Sequence, residues 1–301
     1  YPLRRQRQMC IRDSYAVDQC GNIDSCTTTI TVNYTVAPYP TAIPMDTLLC
    51  NGESPEIILD NAFQNIRFEW TITASSDSVT GYTTPGFSEG PYPFTIHDYL
   101  TNSSHTVQTI TYEIIPYPYS GTYPDPGRCP LIFDTLITIY VNPDPQISVF
   151  VDDTIVCNNA DVDFETDSLV STTGTVRYTL EVETSSENVT STLPSTSIGD
   201  ISNFTDNLVN AGDETETVTY TFRPFIEGAT NRGDCHNGVV KVLDIYVEPT
   251  PKVTATPVLD TVCNGEITNI LLSTVTSSTN GVVFTYSSTP SDATIGGNTS
   301  G

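Results

Sequence analysis

The feature that most constrains the fold of this 301-residue chain is an internal repeat of about 106 residues. Three segments share the pattern Val-x-Pro-x-Pro: residues 36–40 (VAPYP), 141–145 (VNPDP) and 247–251 (VEPTP). A proline lacks the amide hydrogen that a β-ladder needs and fixes its own φ angle, so paired prolines end a strand and favour a stiff, extended linker. Each segment therefore predicts a domain boundary.

A second block comes after each linker, at residues 46–51 (DTLLCN), 153–158 (DTIVCN) and 260–264 (DTVCN). A period this long predicts independently folded domains, because solenoid repeats are much shorter and bury their faces against neighbours. We expect the sequence to be a piece of a longer protein. We divide it into the end of one domain, two complete domains and the start of a further one, at residues 15–37, 38–143, 144–249 and 250–301.

Apolar residues alternate with polar ones in several segments, which is typical of strands with one buried face. Residues 66–73 carry Ile66, Phe68, Trp70 and Ile72 at every second position, and Leu180 is the in-register partner of Trp70. The pattern recurs at residues 30–36, 176–182, 218–222 and 243–247. No window shows a sustained helical stripe. The sequence therefore predicts an all-β chain of tandem immunoglobulin-like β-sandwiches in an extended array, with a jelly roll as the alternative.

The predicted core contains an aromatic or aliphatic residue from the central strand of each complete domain and a tyrosine from a later strand. These residues are Trp70 and Tyr112 in the first domain, and Leu180 and Tyr220 in the second.

The charge of the chain excludes one class of partner. The chain has 36 Asp and Glu against 11 Lys and Arg, a formal net charge of −25. Such a surface repels phosphates, which argues against nucleic acid binding. No apolar run approaches the roughly 18 residues of a membrane span. Residues 1–14 hold 4 of the 11 basic residues and do not match the rest of the chain, so we interpret them as a non-native leader and exclude them from the fold.

The cysteines predict an oxidising compartment. Cys50 and Cys129 are 79 residues apart in the first complete domain, and Cys157 and Cys235 are 78 apart in the second. Matching positions favour one bridge within each domain, although four cysteines allow 3 pairings. Four free buried cysteines are the alternative. Cys20 and Cys26 either bridge each other across a turn or pair with cysteines upstream.

Together these motifs resemble a known family. The D-T-x-x-C-N-G start, the F-x-W or Y-x-L central strand, the late T-x-T-Y-x-x-x-P and the closing I-Y-V-x-P are similar to the PKD-like repeats of very large secreted proteins of gliding bacteria, over residues 38–301. Residues 15–32 resemble the closing hairpin of a HYR-type immunoglobulin-like domain. The resemblance implies an extracellular or cell-surface protein with a role in adhesion or spacing.

Two short motifs resemble functional sites. The stretch from Gly86 through Ser88 to Gly90 matches the G-x-S-x-G nucleophile elbow, but prolines flank it and no helix is predicted after it, so we interpret it as a surface loop. Residues 232–234 (RGD) spell a tripeptide that some adhesion receptors bind, and we interpret them as a polar hairpin loop. We predict no catalytic residue, no bound cofactor and no enzymatic activity.

Two other groups could bind ligands. Asp152 and Asp153, near a domain boundary, are weak candidates for Ca²⁺, although solvated acidic edges are the simpler interpretation. The tyrosines dense enough to form a carbohydrate platform are Tyr92, Tyr117, Tyr119 and Tyr123, and their neighbouring prolines favour a packed loop instead.

The sequence therefore predicts a non-catalytic stalk of a secreted or surface-attached bacterial protein. Its predicted partners are neighbouring domains of the same chain and a surface polysaccharide or cell-surface protein. A carbohydrate-binding accessory region of a secreted hydrolase is the alternative.

Overall fold

The structure is a computed structural model and describes residues 12–28, 40–61, 66–118, 134–297 and 299–301. Over these residues every regular element is a β-strand, which confirms the predicted all-β class. The described residues contain no helix of the length and apolar character that a membrane span requires.

The first described element is a hairpin of β1 (Arg12–Val17) and β2 (Ile23–Thr28). The Asp18 carboxylate closes the turn by accepting hydrogen bonds from the backbone N–H of Cys20 at 2.8 Å and from Asn22. Hydrogen bonds from Asn22, foremost that of its side chain, lower the pKa of Asp18. β1 starts at Arg12, three residues before the predicted start of the first domain at residue 15. The last three residues of the predicted leader therefore belong to a strand.

The bridge predicted between Cys20 and Cys26 is not formed in this structure. Cys20 is a free, exposed thiol in the turn, whereas Cys26 lies on β2, in register with Ser14. The turn and the strand register therefore hold the two positions apart along the hairpin. The predicted strand at residues 30–36 lies outside the described residues.

The next ten strands form a sandwich of two packed sheets, here called the first sandwich. They are β3 (Thr41–Pro44), β4 (Leu48–Leu49), β5 (Ile57–Asp60), β6 (Ile66–Ala74), β7 (Val79–Thr80), β8 (Gly86–Ser88), β9 (Phe94–Ile96), β10 (Thr101–Asn102), β11 (Gln108–Pro118) and β12 (Thr135–Val141). One sheet has the order β3-β5-β9, with β7 and β10 paired beside it, and the other has the order β4-β12-β11-β6-β8. All pairs are antiparallel except β4 with β12.

The following ten strands repeat this plan as the second sandwich. They are β13 (Ile147–Val151), β14 (Ile155–Val156), β15 (Ala160–Ser168), β16 (Thr175–Thr184), β17 (Val189–Ser191), β18 (Thr196–Asp200), β19 (Phe204–Asn210), β20 (Glu216–Thr230), β21 (Gly233–Cys235) and β22 (Lys241–Val247). The sheet orders are β13-β15-β19-β17 and β14-β22-β20-β16-β18, and β21 forms an additional hairpin with β20. β14 again pairs in parallel with the closing strand. Tandem immunoglobulin-like sandwiches are therefore confirmed.

Each sandwich has its own hydrophobic core between its two sheets. The alternating residues of β12 and β16 place every second side chain in these cores. Trp70 is 5% exposed and Leu180 is 3% exposed, and Tyr112 and Tyr220 are fully buried. A third unit begins with β23 (Thr254–Pro257) and β24 (Ile270–Ser273), whose register repeats that of β3 and β5 213 residues later.

Candidate functional site: the junctions between units

The two sandwiches are joined through backbone hydrogen bonds, at what is here called the first junction. The N–H of Ser171 donates to the carbonyl of His105 at 2.9 Å, and the N–H of Val107 donates to the carbonyl of Ser171 at 3.1 Å. Thr106 and Ser171 thereby form a parallel β-bridge between loops of the two sandwiches. Backbone pairing of this kind fixes the orientation of one loop against the other.

A buried asparagine ties the linker to both sandwiches. Asn142, the second residue of the linker, has no exposed surface. Its Oδ1 accepts a hydrogen bond from the N–H of Thr173 at 2.9 Å, and its Nδ2 donates to the carbonyl of Leu49 at 3.1 Å. The hydroxyl of Thr173 donates to the carbonyl of Ala229 at 2.8 Å. Asn142 is thus satisfied only when the two sandwiches are docked.

The hairpin of β20 and β21 reaches across the junction to the first sandwich. Asn231 Nδ2 donates to Asp46 Oδ1 at 3.0 Å, and the Arg232 guanidinium donates to the carbonyl of Ser54 at 3.1 Å. Arg232 Nε lies 3.5 Å from Asp46 Oδ2, and the Asp46 side chain is fully buried. A buried carboxylate requires compensation, so the hairpin and Asp46 are held together.

A disulfide between Cys50 and Cys235 completes the junction, with the two Cα atoms 5.5 Å apart. This bond corrects the predicted pairing within each domain. Cys50 bonds to the second sandwich, and Cys157 is a free, exposed thiol. Cys129 lies outside the described residues.

The strand order explains why the bond crosses the junction. Cys157 follows β14, which pairs with Tyr246 and Val247 at the end of β22, whereas Cys235 precedes the start of β22. At roughly 3.3 Å per residue, a seven-residue strand separates the two cysteines by about 20 Å. A disulfide needs Cα atoms within about 7 Å. The two cysteines of the second sandwich therefore lie at opposite ends of it, Cys235 at the first junction and Cys157 at the end from which the chain continues into the third unit.

A second junction, between the second sandwich and the third unit, repeats the first. Ser277 N–H donates to the carbonyl of Asp213 at 2.7 Å, and Glu214 and Ser277 form the parallel bridge. Thr279 N–H donates to Glu248 Oε1 at 3.0 Å. Glu248 and Thr279 are each 106 residues after Asn142 and Thr173. The two junctions therefore share the parallel bridge and the contact from the linker to the following unit.

The second junction has a charged glutamate at the position where the first junction has the neutral Asn142. Burial alone raises the pKa of Glu248, but hydrogen bonds from Thr279 and Thr215 outweigh it and hold the pKa below its usual value. Lys252 forms an ion pair with Asp213 across the same junction. Asn142, Thr173 and Glu248 were not predicted as functional residues from the sequence. The signal for Asn142 and Glu248 was the polar residue between the valine and the first proline of the second and third linkers, whereas no pattern pointed to Thr173.

The structure places the G-x-S-x-G motif in a strand. Gly86 to Ser88 form β8, and Ser88 is 5% exposed. Its carbonyl accepts a hydrogen bond from the hydroxyl of Tyr92 at 2.8 Å. The motif therefore lies on an extended edge strand of the sandwich and not on the strand-to-helix turn that exposes a nucleophile.

The Arg-Gly-Asp tripeptide belongs to the first junction. The contacts of Arg232 with Asp46 and Ser54 bring its guanidinium to the first sandwich, and Asp234 Oδ1 accepts a hydrogen bond from the N–H of Gly228 at 2.8 Å. Both charged side chains of the tripeptide thus have partners within the chain.

The calcium candidates lie at an exposed edge. Asp152 and Asp153 are exposed, and Asp153 Oδ1 accepts a hydrogen bond from the N–H of Ile155 at 3.0 Å. Within the described ranges, no three His, Cys, Asp or Glu side chains form a group that could hold a metal ion. Calcium binding by these residues stays a prediction.

Of the candidate aromatic platform, the structure describes two tyrosines. Tyr92 packs edge-on against Phe68 with ring centroids 5.4 Å apart. Tyr117 lines an open cleft of about 370 Å³ on the face of β6, β8 and β11, together with Arg67, Glu113 and the 58% exposed Phe87. Tyr119 and Tyr123 fall outside the described residues.

Comparison with known proteins finds a family match within the first sandwich. Residues 46–145 match the family model described as PKD-like domain, which confirms the predicted resemblance over this stretch. The wider prediction of gliding bacteria and of a HYR-type domain has no support from the comparisons. No curated protein matches the chain.

Three solved structures share a distant likeness. Domains 4 and 5 of the S-layer protein SbsC are 12% identical, with 77% of this chain and 87% of that chain covered and a TM-score of 0.24. The Yersinia pseudotuberculosis adhesin InvE is 14% identical, with 69% and 58% covered and a TM-score of 0.26. The D00-D0 domain of intimin is 10% identical, with 69% and 99% covered and a TM-score of 0.29. Likenesses at this level carry no argument about the function of this chain.

Proposed function

We propose that this chain is a non-catalytic structural stalk of a large secreted or surface-attached bacterial protein. Its units dock end to end and hold distal domains at a fixed spacing from the cell. The observation that carries the proposal is that two successive junctions are built from residues at the same positions of the repeat, Asn142 with Thr173 and Glu248 with Thr279. A repeated junction propagates one geometry along an array.

The chemistry of the junctions supports an extracellular location, and it supports neighbouring domains of the same chain as the partners of each unit. A disulfide such as Cys50–Cys235 persists in oxidising compartments. The acidic surface, with a net charge of −25, favours solubility and disfavours nucleic acid. We therefore assign adhesion to a polysaccharide or cell-surface protein to the exposed sheet faces of the sandwiches, because the junction residues already have partners within the chain.

Small-angle X-ray scattering of the full chain tests this proposal. We expect one narrow conformational distribution for the oxidised chain. Arg232→Ala combined with Cys50→Ser and Cys235→Ser should increase the radius of gyration and broaden the distribution, because the hairpin then loses its ion pair and its bond to the first sandwich.

The matched control replaces Arg232→Ala by Arg223→Ala in the same cysteine background. Arg223 forms an ion pair with Glu181 at 3.1 Å within the second sandwich, so its loss should leave scattering unchanged. A broad distribution for the unaltered chain, or equal scattering from the two arginine variants, would contradict a fixed spacing.

Carbohydrate binding is the second candidate, and the cleft on the first sandwich favours it. The Arg67 guanidinium lies 4.0 Å from the centre of the exposed Phe87 ring, beside Tyr117. An exposed aromatic face next to charged side chains is suited to stacking on a sugar ring. Glycan-array binding that is lost in Phe87→Ala and Tyr117→Ala, but kept in Phe150→Ala on the second sandwich, would support this function. No binding by the unaltered chain would exclude the tested glycans.

A further inference from the structure

The free thiol of Cys157 occupies the same structural position as the bonded Cys50. Each cysteine follows a two-residue strand that pairs in parallel with the end of a closing strand, Leu48 with Tyr140 and Ile155 with Tyr246. Each preceding turn is closed by an aspartate: Asp46 Oδ1 accepts from Leu48 N–H at 2.9 Å, and Asp153 Oδ1 accepts from Ile155 N–H at 3.0 Å.

The residues after the two cysteines also match. Asn51 Oδ1 accepts a hydrogen bond from the N–H of Asn102, and Asn158 Oδ1 accepts one from the N–H of Asn210, both at 2.7 Å. The backbone that presents Cys157 is therefore held by the same contacts as the backbone that presents Cys50. Cys157 lies beside the second junction as Cys50 lies beside the first, because the carbonyl of Val156 accepts a hydrogen bond from the N–H of Glu248 at 2.8 Å, as that of Leu49 does from the N–H of Asn142 at 2.9 Å.

The third unit is docked on the second sandwich through contacts that repeat part of the first junction. The Glu248–Thr279 and Asp213–Ser277 contacts repeat those that Asn142 and Ser171 make at the first junction. At the first junction, docking of this kind brings the hairpin of β20 and β21 against Cys50. Cys263 is the third copy of the same position, and its N–H donates to Glu266 as that of Cys50 donates to Glu53. Each unit thus presents a cysteine at the same end.

We propose that Cys157 is a junction cysteine of the array: it forms a disulfide with the hairpin cysteine that precedes the closing strand of the unit docked at the second junction. Successive units are then joined head to tail, each by one disulfide across one junction. This inference rests on the proposed stalk function, and it extends that function by making the array covalently reinforced at every junction.

The bond requires a disulfide-containing oxidant, such as oxidised glutathione. The Cys157 thiolate attacks one sulfur of the oxidant and releases one glutathione thiolate, which leaves a mixed disulfide on Cys157. The hairpin thiolate then attacks the Cys157 sulfur and releases the second glutathione. Two protein thiols are oxidised and one glutathione disulfide is reduced to two thiols, so atoms and electrons balance.

The unextended chain provides the first test. After native alkylation and digestion without reductant, mass spectrometry should find a linked Cys50–Cys235 peptide and an alkylated Cys157. Native chain treated with oxidised glutathione should carry a mixed disulfide on Cys157. A linked Cys157–Cys235 peptide, or a Cys157 that oxidised glutathione does not modify, would overturn the proposal.

The second test appends a copy of residues 144–249 in place of residues 250–301. Alkylation of Cys157 should fall by roughly tenfold or more, because the copied Cys235 now bonds to it. A matched extension with Cys235→Ser in the copy should restore alkylation. Continued alkylation of both the original Cys157 and the copied Cys235 would overturn the proposal.

Two readouts separate this inference from the stalk function. An extension that has lost the Cys50–Cys235 peptide is misfolded, and the unextended chain then still overturns the inference if oxidised glutathione leaves Cys157 unmodified or if a Cys157–Cys235 peptide is found. Undocked units in scattering, with Cys157 bonded, would contradict the stalk function. Docked units with Cys157 unbonded would contradict only the inference.

Discussion

At the scale of single residues, a buried tyrosine donates its hydroxyl to a buried carboxylate in each sandwich. Tyr112 donates to Asp98 at 3.0 Å, and Tyr220 donates to Asp206 at 2.6 Å. Burial, followed by the nearby carboxylate, raises the pKa of both tyrosines. Asp206 has further donors in Ser191 and Thr192. The same contact between tyrosine and aspartate thus recurs in both cores, and in the second the carboxylate accepts further hydrogen bonds.

Removal of one hydroxyl should weaken the first sandwich. Tyr112→Phe leaves Asp98, which is 5% exposed, without this donor, at an expected loss of about 1–3 kcal/mol in the free energy of unfolding. Urea unfolding followed by the fluorescence of Trp70, the single tryptophan, measures the loss. Tyr140→Phe, at a 42% exposed tyrosine of the same sandwich, is the control. Equal losses in the two variants would show that the buried hydroxyl contributes nothing.

The second junction should loosen in acid. Because the folded-state pKa of Glu248 is below its usual value of 4.5, its contribution is fully present above pH 4.5 and is lost as the pH falls through the lowered pKa. The amide NMR signal of Thr279, which donates to this carboxylate, should titrate with a midpoint below 4.5. Glu248→Gln should abolish the titration. A midpoint at or above 4.5 would contradict the hydrogen bonding described for Glu248.

At the scale of elements, the edge strands β8 and β18 use a glycine to accept an aromatic ring from the neighbouring strand. A Cβ on Gly86 would lie 2.0 Å from the ring of Trp70, and one on Gly199 would lie 2.4 Å from the ring of Tyr178. These glycines are paired in register with those aromatic residues. The ring therefore covers the glycine, and the edge strand packs closely on the sheet.

A methyl group at this position should push the ring out of its place. The Trp70 indole N–H donates to the carbonyl of Thr83 at 3.1 Å, so the ring cannot move without losing a hydrogen bond. Gly86→Ala should therefore cost about 1–3 kcal/mol, more than the unfolded-state entropy that alanine saves. Urea unfolding measures the difference. Gly296→Ala, where a Cβ meets no atom within 4 Å, should be near neutral, and a neutral Gly86→Ala would refute the close packing.

The long strands of this fold could be predicted from sequence, whereas the junctions could not. The alternation from Ile66 onward identifies β6, because its period of two extends over several residues. β4 has only two residues, too few for any pattern, yet its parallel pairing with the end of β12 decides where Cys50 lies. The contacts between Asp46 and Arg232 join residues nearly two hundred positions apart, a separation at which local pattern carries no signal.

At the scale of the whole molecule, repulsion between acidic units opposes docking. With 36 acidic and 11 basic residues, the chain has a net charge of −25, so its units repel one another as they approach. Each junction places one cation against an aspartate of the preceding unit, Arg232 against Asp46 and Lys252 against Asp213. The Lys252–Asp213 pair is exposed on both sides and contributes little, whereas Asp46 is buried and needs its partners, so docking also depends on the buried hydrogen bonds and the disulfide.

The disulfide should therefore couple the stabilities of two otherwise separate cores. In the chain-entropy model, a bond between residues 185 positions apart removes on the order of 5 kcal/mol of unfolded-state freedom. Unfolding of the first sandwich, followed by Trp70 fluorescence, should have a lower urea midpoint in Cys50→Ser with Cys235→Ser than in the oxidised chain. Cys157→Ser removes an exposed free thiol and should leave the midpoint unchanged. If Cys157→Ser lowered the midpoint while the double variant did not, Cys157 would be the bonded cysteine, and the covalent link between units would have to be abandoned.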